Sequence, residues 1–300
     1  MMGKRVLFTK VLLLFILLLS GCTSDRDESI YSKTLKISTN SWIGYAPLYY
    51  AKAKGYLKPL NIELIVNVSL AEAADIYLIG NADIVSATQH EYKQIKKSIP
   101  DTVPFILLDR SNGGDMILSN RSLDTIKKAK KIDAYLEIDS INADMLQDFI
   151  RQYDLNISRF NFINKDQAQI ASLAPEQKKA MLIVTYAPYD VKLRKAGFSL
   201  LSSTRNTHEL VVIDALCTRK TLLQRDKTRL MALKKVIDRS IKEIEADKKG
   251  SYDLVSGYLG DINSQDYLDA FKGIKWINHP DKDLLKCIEP LGYNKEYILP

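Results

Sequence analysis

The residues best suited to binding chemistry lie at predicted strand exits within positions 35–92. The pattern of this stretch predicts alternating strands and helices, with LKIST as the first strand, LYYAKAKGYL as the first helix and residues 82–87 as the third strand. Consecutive βα units favour a parallel sheet, whose ligand crevice lies outside the carboxyl ends of its strands. We therefore expect one rim of this sheet to present Asn40, Trp42, Gly44, Tyr45, Ser69, Ser86, Thr88 and Gln89.

A glycine pair at positions 113–114 separates two apolar strand patterns, residues 103–108 and 115–118. Because glycine absorbs backbone torsion changes that other residues resist, this pattern predicts a hinge that carries the chain into a second lobe. The alternative is a plain loop with a tight turn. The segment ELVVIDALCT at residues 209–218 predicts a strand that brings the chain back. Two such crossings indicate two lobes with a cleft between them.

The second lobe and the crossings are expected to add acidic and polar side chains to this cleft. Ser140 and Asn142 stand at a predicted helix start, where free N–H groups attract partial negative charge. The apolar strand AMLIVTYAP exposes polar groups at its exit. The expected binding residues of this group are Asp115, Glu137, Asn142, Thr185, Tyr186 and Asp214.

Several of these residues also have a structural interpretation. Trp42 and Tyr45 can form a stacking wall for a flat or apolar part of a ligand, or can pack the lobes together. Asn40 can bond a ligand or shape its turn. The acids Asp115 and Asp214 can bond backbone N–H groups at the hinge, and Glu137 can face solvent.

The sequence provides no motif of an established catalytic or metal site. G-x-S-x-G, P-loop and G-x-G-x-x-G patterns do not occur, and the three histidines, His90, His208 and His279, have no metal-ligand spacing. Cys217 lies in the apolar strand pattern VVIDALCT and Cys287 in the helix-like run DLLKCIEP, and we expect two buried free thiols rather than a disulfide or a nucleophile. We expect no catalytic residue, no metal and no cofactor.

The charge of the chain gives no support for nucleic-acid binding. The formal net charge is +7 over 300 residues, and it falls to +4 if the amino-terminal segment with Lys4, Arg5 and Lys10 is removed. Lysine and arginine are scattered among acids rather than gathered on one face. The composition is that of a soluble globular protein with ample surface to bury.

The amino terminus has the pattern of an export signal. A basic start is followed by nine apolar residues, 11–19, a length that suits a signal peptide and is too short to span a bilayer. The segment ends in Leu19-Ser20-Gly21-Cys22, which resembles a bacterial lipobox. This resemblance implies a signal peptide at residues 1–21 and lipidation of Cys22, followed by a flexible tether through residue 33. An ordinary secretory peptide with a chance cysteine is the alternative, and the membrane that holds the protein is left open.

The pattern W-x-G-Y-A-P-L-Y-x-A-x-x-x-G-Y-L at residue 42 onward, followed by G-N-A-D-I at residues 80–84, resembles the periplasmic solute-binding proteins of the nitrate, taurine and alkanesulfonate import family. That family also includes binders of thiamine pyrimidine precursors. The resemblance implies an α/β fold of the type II periplasmic binding protein kind, in which two α/β lobes joined by two crossover strands hold the ligand in the cleft. It places lobe 1 at residues 34–112 plus 213–300 and lobe 2 at residues 113–212.

The same resemblance implies a monomeric receptor without enzymatic activity, and the lipobox-like segment implies that this receptor is lipid-anchored. Its partners would be a small-molecule solute and the permease and ATPase subunits of an ABC importer. It would lie on the periplasmic side of a bacterial membrane, or on the outer face of a Gram-positive cell membrane. A pyrimidine-synthase-like enzyme and a sensory subunit for a membrane kinase are the alternatives.

The charge of the solute is not decided by the sequence. Acids in the cleft would favour amine or ring N–H donors, whereas Ser69, Ser86, Thr88, Ser140 and Asn142 could bind a sulfonate or nitrate through neutral donors. The family often has an acid where this chain has Ala187. This departure leaves open how much the second lobe contributes to ligand binding.

Overall fold

A computed structural model describes residues 31–207, 209–260 and 262–300. The predicted signal peptide, the Cys22 lipidation site, most of the tether and His208 lie outside the described residues. Within these residues, the strands are β1 (Leu35–Asn40), β2 (Ile62–Asn67), β3 (Ile84–Thr88), β4 (Thr102–Ser111), β5 (Asp115–Ser119), β6 (Ile132–Leu136), β7 (Phe160–Asn164), β8 (Met181–Tyr186), β9 (Ser199–Ser203), β10 (Ile213–Arg219) and β11 (Ile274–Trp276).

Helices follow most of these strands, except that β4 leads directly to β5 and β9 to β10, and four helices in succession follow β10. The helices are α1 (Ala46–Ala53), α2 (Leu70–Leu78), α3 (Gln89–Ser98), α4 (Leu123–Lys128), α5 (Ile141–Gln152), α6 (Gln167–Ala171), α7 (Asp190–Ala196), α8 (Lys220–Arg225), α9 (Lys227–Ala246), α10 (Lys248–Val255), α11 (Ser264–Ala270) and α12 (Lys282–Ile288). Short 3-10 turns occur at Ile43–Tyr45, Ile157–Arg159, Ser256–Tyr258, Phe271–Gly273 and Lys295–Tyr297. In the part of the chain that the structure describes, none of the helices combines the length and the apolar character needed to cross a bilayer.

The strands form two separate sheets. The first has the order β11-β4-β10-β3-β1-β2, with β1 parallel to β2 and β3 and with β10 antiparallel to β3 and β4. The second has the order β7-β6-β8-β5-β9, with β6 parallel to β7 and β8 and with β5 antiparallel to β8 and β9. The chain passes between the sheets from β4 to β5 and from β9 to β10, so it makes the two crossings predicted from the sequence.

Short polar side chains begin the helices that follow the strands. Ser69 accepts the Glu72 N–H at 3.1 Å, and Glu72 accepts the Val68 N–H at 2.8 Å. Thr88 and Glu91 form a reciprocal capping box at the start of α3, and Ser140 accepts the Asn142 N–H at the start of α5. Such caps satisfy N–H groups that have no partner inside the helix.

The two cysteines differ in their surroundings. Cys217 is a buried free thiol in β10, as expected. Cys287 is a free thiol but exposed, so the expectation that it is buried is wrong. In α12 the neighbouring Ile288 takes the buried position, and the helical rotation therefore turns Cys287 toward solvent.

Candidate functional site

The two sheets face each other through the edges at which their polar residues lie. In the first sheet Asn40 ends β1 and Thr88 ends β3, and Asp214 is the ladder partner of both Thr88 and Asp109. In the second sheet Asp115 is the ladder partner of Tyr186. Glu137 directly follows β6, and Tyr186 is the last residue of β8. Because β6 and β8 are parallel, these two residues lie at the same edge of the sheet.

Direct contacts join these edges. The Asn40 side-chain amide donates to the Tyr186 hydroxyl at 2.8 Å, and the Ile43 N–H donates to the Ala187 carbonyl at 3.3 Å. The Tyr189 hydroxyl donates to the Val68 carbonyl at 3.2 Å. The structure therefore represents the lobes closed on each other.

Trp42 lies at the junction of the lobes. Its indole N–H donates to both carboxyl oxygens of Asp109 at 3.2 and 3.3 Å, and its ring meets the Tyr186 ring edge-on at a centroid distance of 5.8 Å. Only 3% of its surface is exposed, and Tyr45 is fully buried. In this closed state Trp42 therefore packs the two lobes together, which is the structural interpretation given for it from the sequence. Its predicted role as a wall for the ligand stays a prediction.

Asp109 was not among the residues expected from the sequence. It is fully buried, and it is opposite Asp214 in the β4–β10 ladder. Asp214 accepts a hydrogen bond from the Tyr45 hydroxyl, which is also fully buried. The Asp214 carboxyl is thus bonded to a side chain rather than to the backbone N–H groups proposed as the alternative. An acid that ends the apolar run VPFILLD is the sequence signal that could have identified Asp109.

Glu137 belongs to a buried network in the second lobe. One of its carboxyl oxygens accepts the Gln167 N–H at 3.0 Å. The Gln167 side chain donates to Asn142 at 2.7 Å and accepts from the Thr185 hydroxyl at 2.8 Å. Because Glu137 is only 3% exposed, the alternative that it faces solvent is wrong. Gln167, which the sequence analysis missed, holds three predicted residues of this lobe in one arrangement.

Several buried polar atoms at these edges have no hydrogen-bond partner among the described residues. They are Thr39 Oγ1, Asn40 Oδ1, Asp115 Oδ2, Glu137 Oε2 and Asn142 Nδ2. The hydrogen-bonding positions of Asn40 and Asn142 are partly used, so each offers its remaining amide atom. Buried polar atoms are normally paired because an unpaired one forfeits its hydration. These atoms are therefore candidates for contact with a bound molecule.

Burial and mutual repulsion perturb the acids of the cleft. Burial, together with the charge of Glu91, raises the pKa of Asp115 to about 7 and that of Glu137 to about 8. Burial also raises the pKa values of Asp109 and Asp214 well above their ordinary range, and the charge of Asp115 adds to the effect on both. Titratable groups perturbed by burial and by specific neighbours often occur in functional sites.

Other predicted residues support the site rather than present free groups to it. Ser69 and Thr88 are helix caps, and the Ser86 hydroxyl donates to the Ser38 carbonyl at 3.4 Å. The Gln89 side chain donates to the Val211 carbonyl at 2.7 Å and accepts the Ile213 N–H at 3.2 Å. Gln89 thus fixes the strand that returns from the second lobe. Gly44 lies against the Trp42–Asp109 pair.

A cavity of about 400 Å³ lies beside the hinge and is lined by none of the predicted residues. Its lining includes Gly114 and Ala187, and its charged side chains are engaged in local contacts: Arg205 donates to the carbonyls of Asn112 and Lys272, and others form ion pairs. Arg194 pairs with Asp190 at 2.8 Å, and Lys195 pairs with Asp266 at 2.8 Å. The cleft between the sheet edges, with its unpaired polar atoms, is therefore the stronger candidate site.

No family model and no curated protein sequence matches this chain. Solved structures do resemble it. The ligand-binding component of an ABC-type import system from Staphylococcus aureus, with zinc bound, has a TM-score of 0.70 at 13% identity, over 90% of this chain and 97% of that one. The periplasmic aliphatic sulphonate binding protein SsuA from Escherichia coli has a TM-score of 0.69 at 13% identity, over 87% and 86% of the two chains.

A third example is the periplasmic nitrate-binding protein NrtA from Synechocystis, with a TM-score of 0.62 at 13% identity over 84% of this chain and 74% of that one. The sequence pattern resembles binding proteins of this kind, and the structural comparison confirms that resemblance for the fold. At such low sequence identities the structural similarity shows a shared fold and does not identify the ligand. The chain is a two-lobed α/β protein with the periplasmic binding protein fold.

Proposed function

We propose that this protein is the solute receptor of an ABC importer, which captures one small molecule by closure of its lobes. The observation that supports this proposal is the set of buried, unpartnered polar atoms where the sheet edges meet. Solute contacts from both lobes would exist only in the closed state. A solute would therefore shift the open–closed equilibrium toward closure.

The proposed site keeps the residues expected from the sequence and adds Thr39, Asp109 and Gln167. Asn40, Asp115, Glu137 and Asn142 would contact the solute directly, since each has an unpartnered polar atom. The other predicted residues would hold these four in place. We keep the predicted lobe boundaries, residues 34–112 plus 213–300 and residues 113–212, as part of the proposal.

The proposed partners and location follow from the fold and from the amino terminus. The similar proteins from S. aureus and E. coli are described as a component of an ABC import system and as a periplasmic binding protein. Permease and ATPase subunits would accordingly receive the closed form of this receptor. Acylation of Cys22 would hold a monomeric receptor on the outer side of a membrane, close to that permease.

Binding rather than catalysis is the function that the cleft supports. The known structures cited above are binding proteins, and two of them bind small anions according to their names. Nitrate, sulfonates, taurine and thiamine pyrimidine precursors are the solute classes that the sequence resemblance suggests. The buried acids of the cleft bear on which of these classes fits.

Thermal unfolding of the purified protein with sulfonates, nitrate, pyrimidines, amines and aromatic acids tests the proposal. At least one class should raise the Tm and reduce the radius of gyration in X-ray scattering. Asn40→Ala should abolish the response, whereas Asn81→Ala, an exposed position, should preserve it. If no class changes either the Tm or the radius of gyration, the protein is not a receptor for these solutes.

A further inference from the structure

The closed cleft gathers carboxylates without opposing positive charge. Five acids lie at or beside the facing sheet edges, and each is at most 4% exposed. They are Glu91, Asp109, Asp115, Glu137 and Asp214. The charges that raise the pKa values of Asp109, Asp115, Glu137 and Asp214 are those of other acids. No ion pair to any of the five acids is found in the part of the chain that the structure describes.

Three of these acids have protein donors that satisfy them. Asp109 accepts the Trp42 indole N–H, and Asp214 accepts the Tyr45 hydroxyl. Glu91 accepts the N–H groups of Ile141 at 2.8 Å and of Thr88 at 3.0 Å. Their positions are therefore explained by contacts within the protein.

Asp115 and Glu137 are not satisfied in this way. Each has a buried carboxyl oxygen without a partner among the described residues, Oδ2 in Asp115 and Oε2 in Glu137. Asp115 is the ladder partner of Tyr186, whose hydroxyl accepts the Asn40 amide N–H. Burial and the charges of Glu137 and Asp115 raise the pKa of Tyr186. Asn40 in turn offers a third free acceptor, Oδ1. These acceptors thus converge around Tyr186 from both lobes.

The balance of donors and acceptors determines which solutes fit. When Asp115 and Glu137 are ionised, the unpartnered atoms are three acceptors, one amide donor, Asn142 Nδ2, and the Thr39 hydroxyl, which can donate or accept. An oxyanion would bring further acceptors into a site of like charge, and burial in a low dielectric strengthens that repulsion. A cation with several N–H groups would instead pair with both carboxylates and with the amide oxygen.

We propose that the cleft binds an organic nitrogen cation, such as a protonated amine or an amidinium-like group, whose N–H groups donate to Asp115, Glu137 and Asn40. This inference rests on the proposed receptor function and specifies its solute class. A bare metal ion fits less well. No group of three or more His, Cys, Asp or Glu side chains with metal-binding geometry occurs among the described residues.

Pairs of probes with matched shape and opposite charge test this proposal. Guanidinium and nitrate are both planar and three-fold, and ethylammonium and ethanesulfonate share one carbon chain. We would measure the Tm of the purified protein with each probe at equal concentration and ionic strength, with calcium as a metal control. The cations should raise the Tm more than their anionic counterparts and more than calcium.

Two variants and a matched control locate the effect. Glu137→Gln and Asp115→Asn should each weaken the apparent affinity for ethylammonium by about tenfold or more, because each removes one buried charge partner. Glu176→Gln, an exposed acid of the same lobe, should leave it unchanged.

Any other order of the probes overturns the inference. Suppose that nitrate or ethanesulfonate raises the Tm as much as its cationic counterpart or more, and that Asn40→Ala abolishes this increase. The protein would then be a receptor for anions, and the proposal of a cationic solute would be wrong. A response to calcium alone would replace the organic cation by a metal. Equal, negligible responses to all probes with an unchanged radius of gyration would remove the receptor function as well.

Discussion

At the scale of single residues, two glycines make room for one tryptophan. A Cβ atom on Gly44 would lie 2.1 Å from the Asp109 carboxyl and 2.3 Å from the Trp42 indole nitrogen. A Cβ atom on Gly114 would lie 2.3 Å from the far edge of the Trp42 ring and 2.8 Å from the Gly273 carbonyl. All four distances are far below van der Waals contact. The indole can therefore reach Asp109 and the hinge only because these two positions lack side chains.

Gly44→Ala should destabilise the protein, because the added methyl group must displace the Trp42–Asp109 pair. We expect a loss of about 1 to 3 kcal/mol in the free energy of unfolding, the usual cost of an overpacked core site. Gly257→Ala is the matched control, since a Cβ there meets no atom within 4 Å. Chemical denaturation of both variants measures the difference, and equal stabilities would contradict the packing argument.

The site residues that could be predicted from the sequence are marked by local patterns, whereas those that were missed are marked only by contacts between distant segments. Asn40, Asp115 and Glu137 stand at strand ends or a hinge, which local patterns reveal. Asp109 becomes part of the cleft only through the register of β4 against β10, two strands distant in sequence. Gln167 matters because it bonds both Asn142 and Thr185. Such contacts depend on tertiary pairing, which local periodicity does not encode.

At the scale of elements, the start of α3 is joined to the start of α5 across the lobes. Glu91 caps α3 and also accepts the Ile141 N–H, the first of α5, at 2.8 Å. His90 Nδ1 lies 3.2 Å from the Asp144 carboxylate on α5. Two adjacent residues of one helix thus form a latch between the lobes. The sequence predicted both helices, but the latch requires the closed geometry.

Glu91→Gln should shift the protein toward its open state, since glutamine keeps one carbonyl oxygen and cannot serve both the cap and Ile141. We expect closure to weaken by about 1 to 2 kcal/mol, as for the loss of one charge-assisted hydrogen bond. The radius of gyration from X-ray scattering should increase. Glu72→Gln is the control because Glu72 also accepts a backbone N–H at the start of its helix, that of Val68 before α2, and is not bonded across the lobes in this structure. The same increase in both variants would assign the effect to capping alone.

The latch also predicts a pH effect. Burial opposes protonation of His90, but the hydrogen bond to Asp144 and the charges of Glu91, Asp144 and Asp139 outweigh it and raise the pKa of His90. Because the folded pKa is raised, the stabilisation is complete below the ordinary histidine pKa and is lost as pH rises through the folded value.

His90→Asn should therefore reduce the free energy of unfolding at pH 5 and have little such effect at pH 9. The Asp144 side chain is 37% exposed, so solvent screening limits the difference to about 0.5 to 1 kcal/mol. Denaturation of the wild type and the variant at both pH values measures it. A difference that is the same at both values would show that the pair is not titrating.

At the scale of the whole molecule, closure buries acids that an open cleft would expose to water. The two lobes meet through Trp42, Tyr186 and the latch, so the acids at the sheet edges lose hydration together. The sequence predicted two lobes and two crossings from periodicity and a glycine pair. It left the solute charge open, because the convergence of five acids depends on how the lobes meet. The unfavourable repulsion among these five acids is therefore a property of the closed conformation.

This cost gives the unliganded protein a characteristic pH dependence. Burial and the charge of Glu91 raise the pKa of Asp115 from 3.8 to about 7 and that of Glu137 from 4.5 to about 8. The charge of Asp166 also raises the pKa of Glu137. Hydrogen bonds with Ser111 at Asp115, and with Gln167 and Ser140 at Glu137, only partly offset these effects on the two pKa values. The unfolded chain thus ionises at lower pH than the folded protein. Stability is therefore lost as pH rises from about 4 to about 8.

The double variant Asp115→Asn, Glu137→Gln isolates this effect, because it removes both titrations and leaves the other groups in place. Relative to the wild type, the variant should gain about 2 to 4 kcal/mol in the free energy of unfolding between pH 4 and pH 8, a range that allows for coupling between the two acids. Urea denaturation without added solute at several pH values measures the gap between the two proteins. A gap that does not widen with pH would mean that these carboxyls ionise normally in the folded state, and the electrostatic argument for a cationic solute would lose its basis. A widening gap that closes again when ethylammonium is added to the wild type would connect the buried acids directly to the charge of the solute.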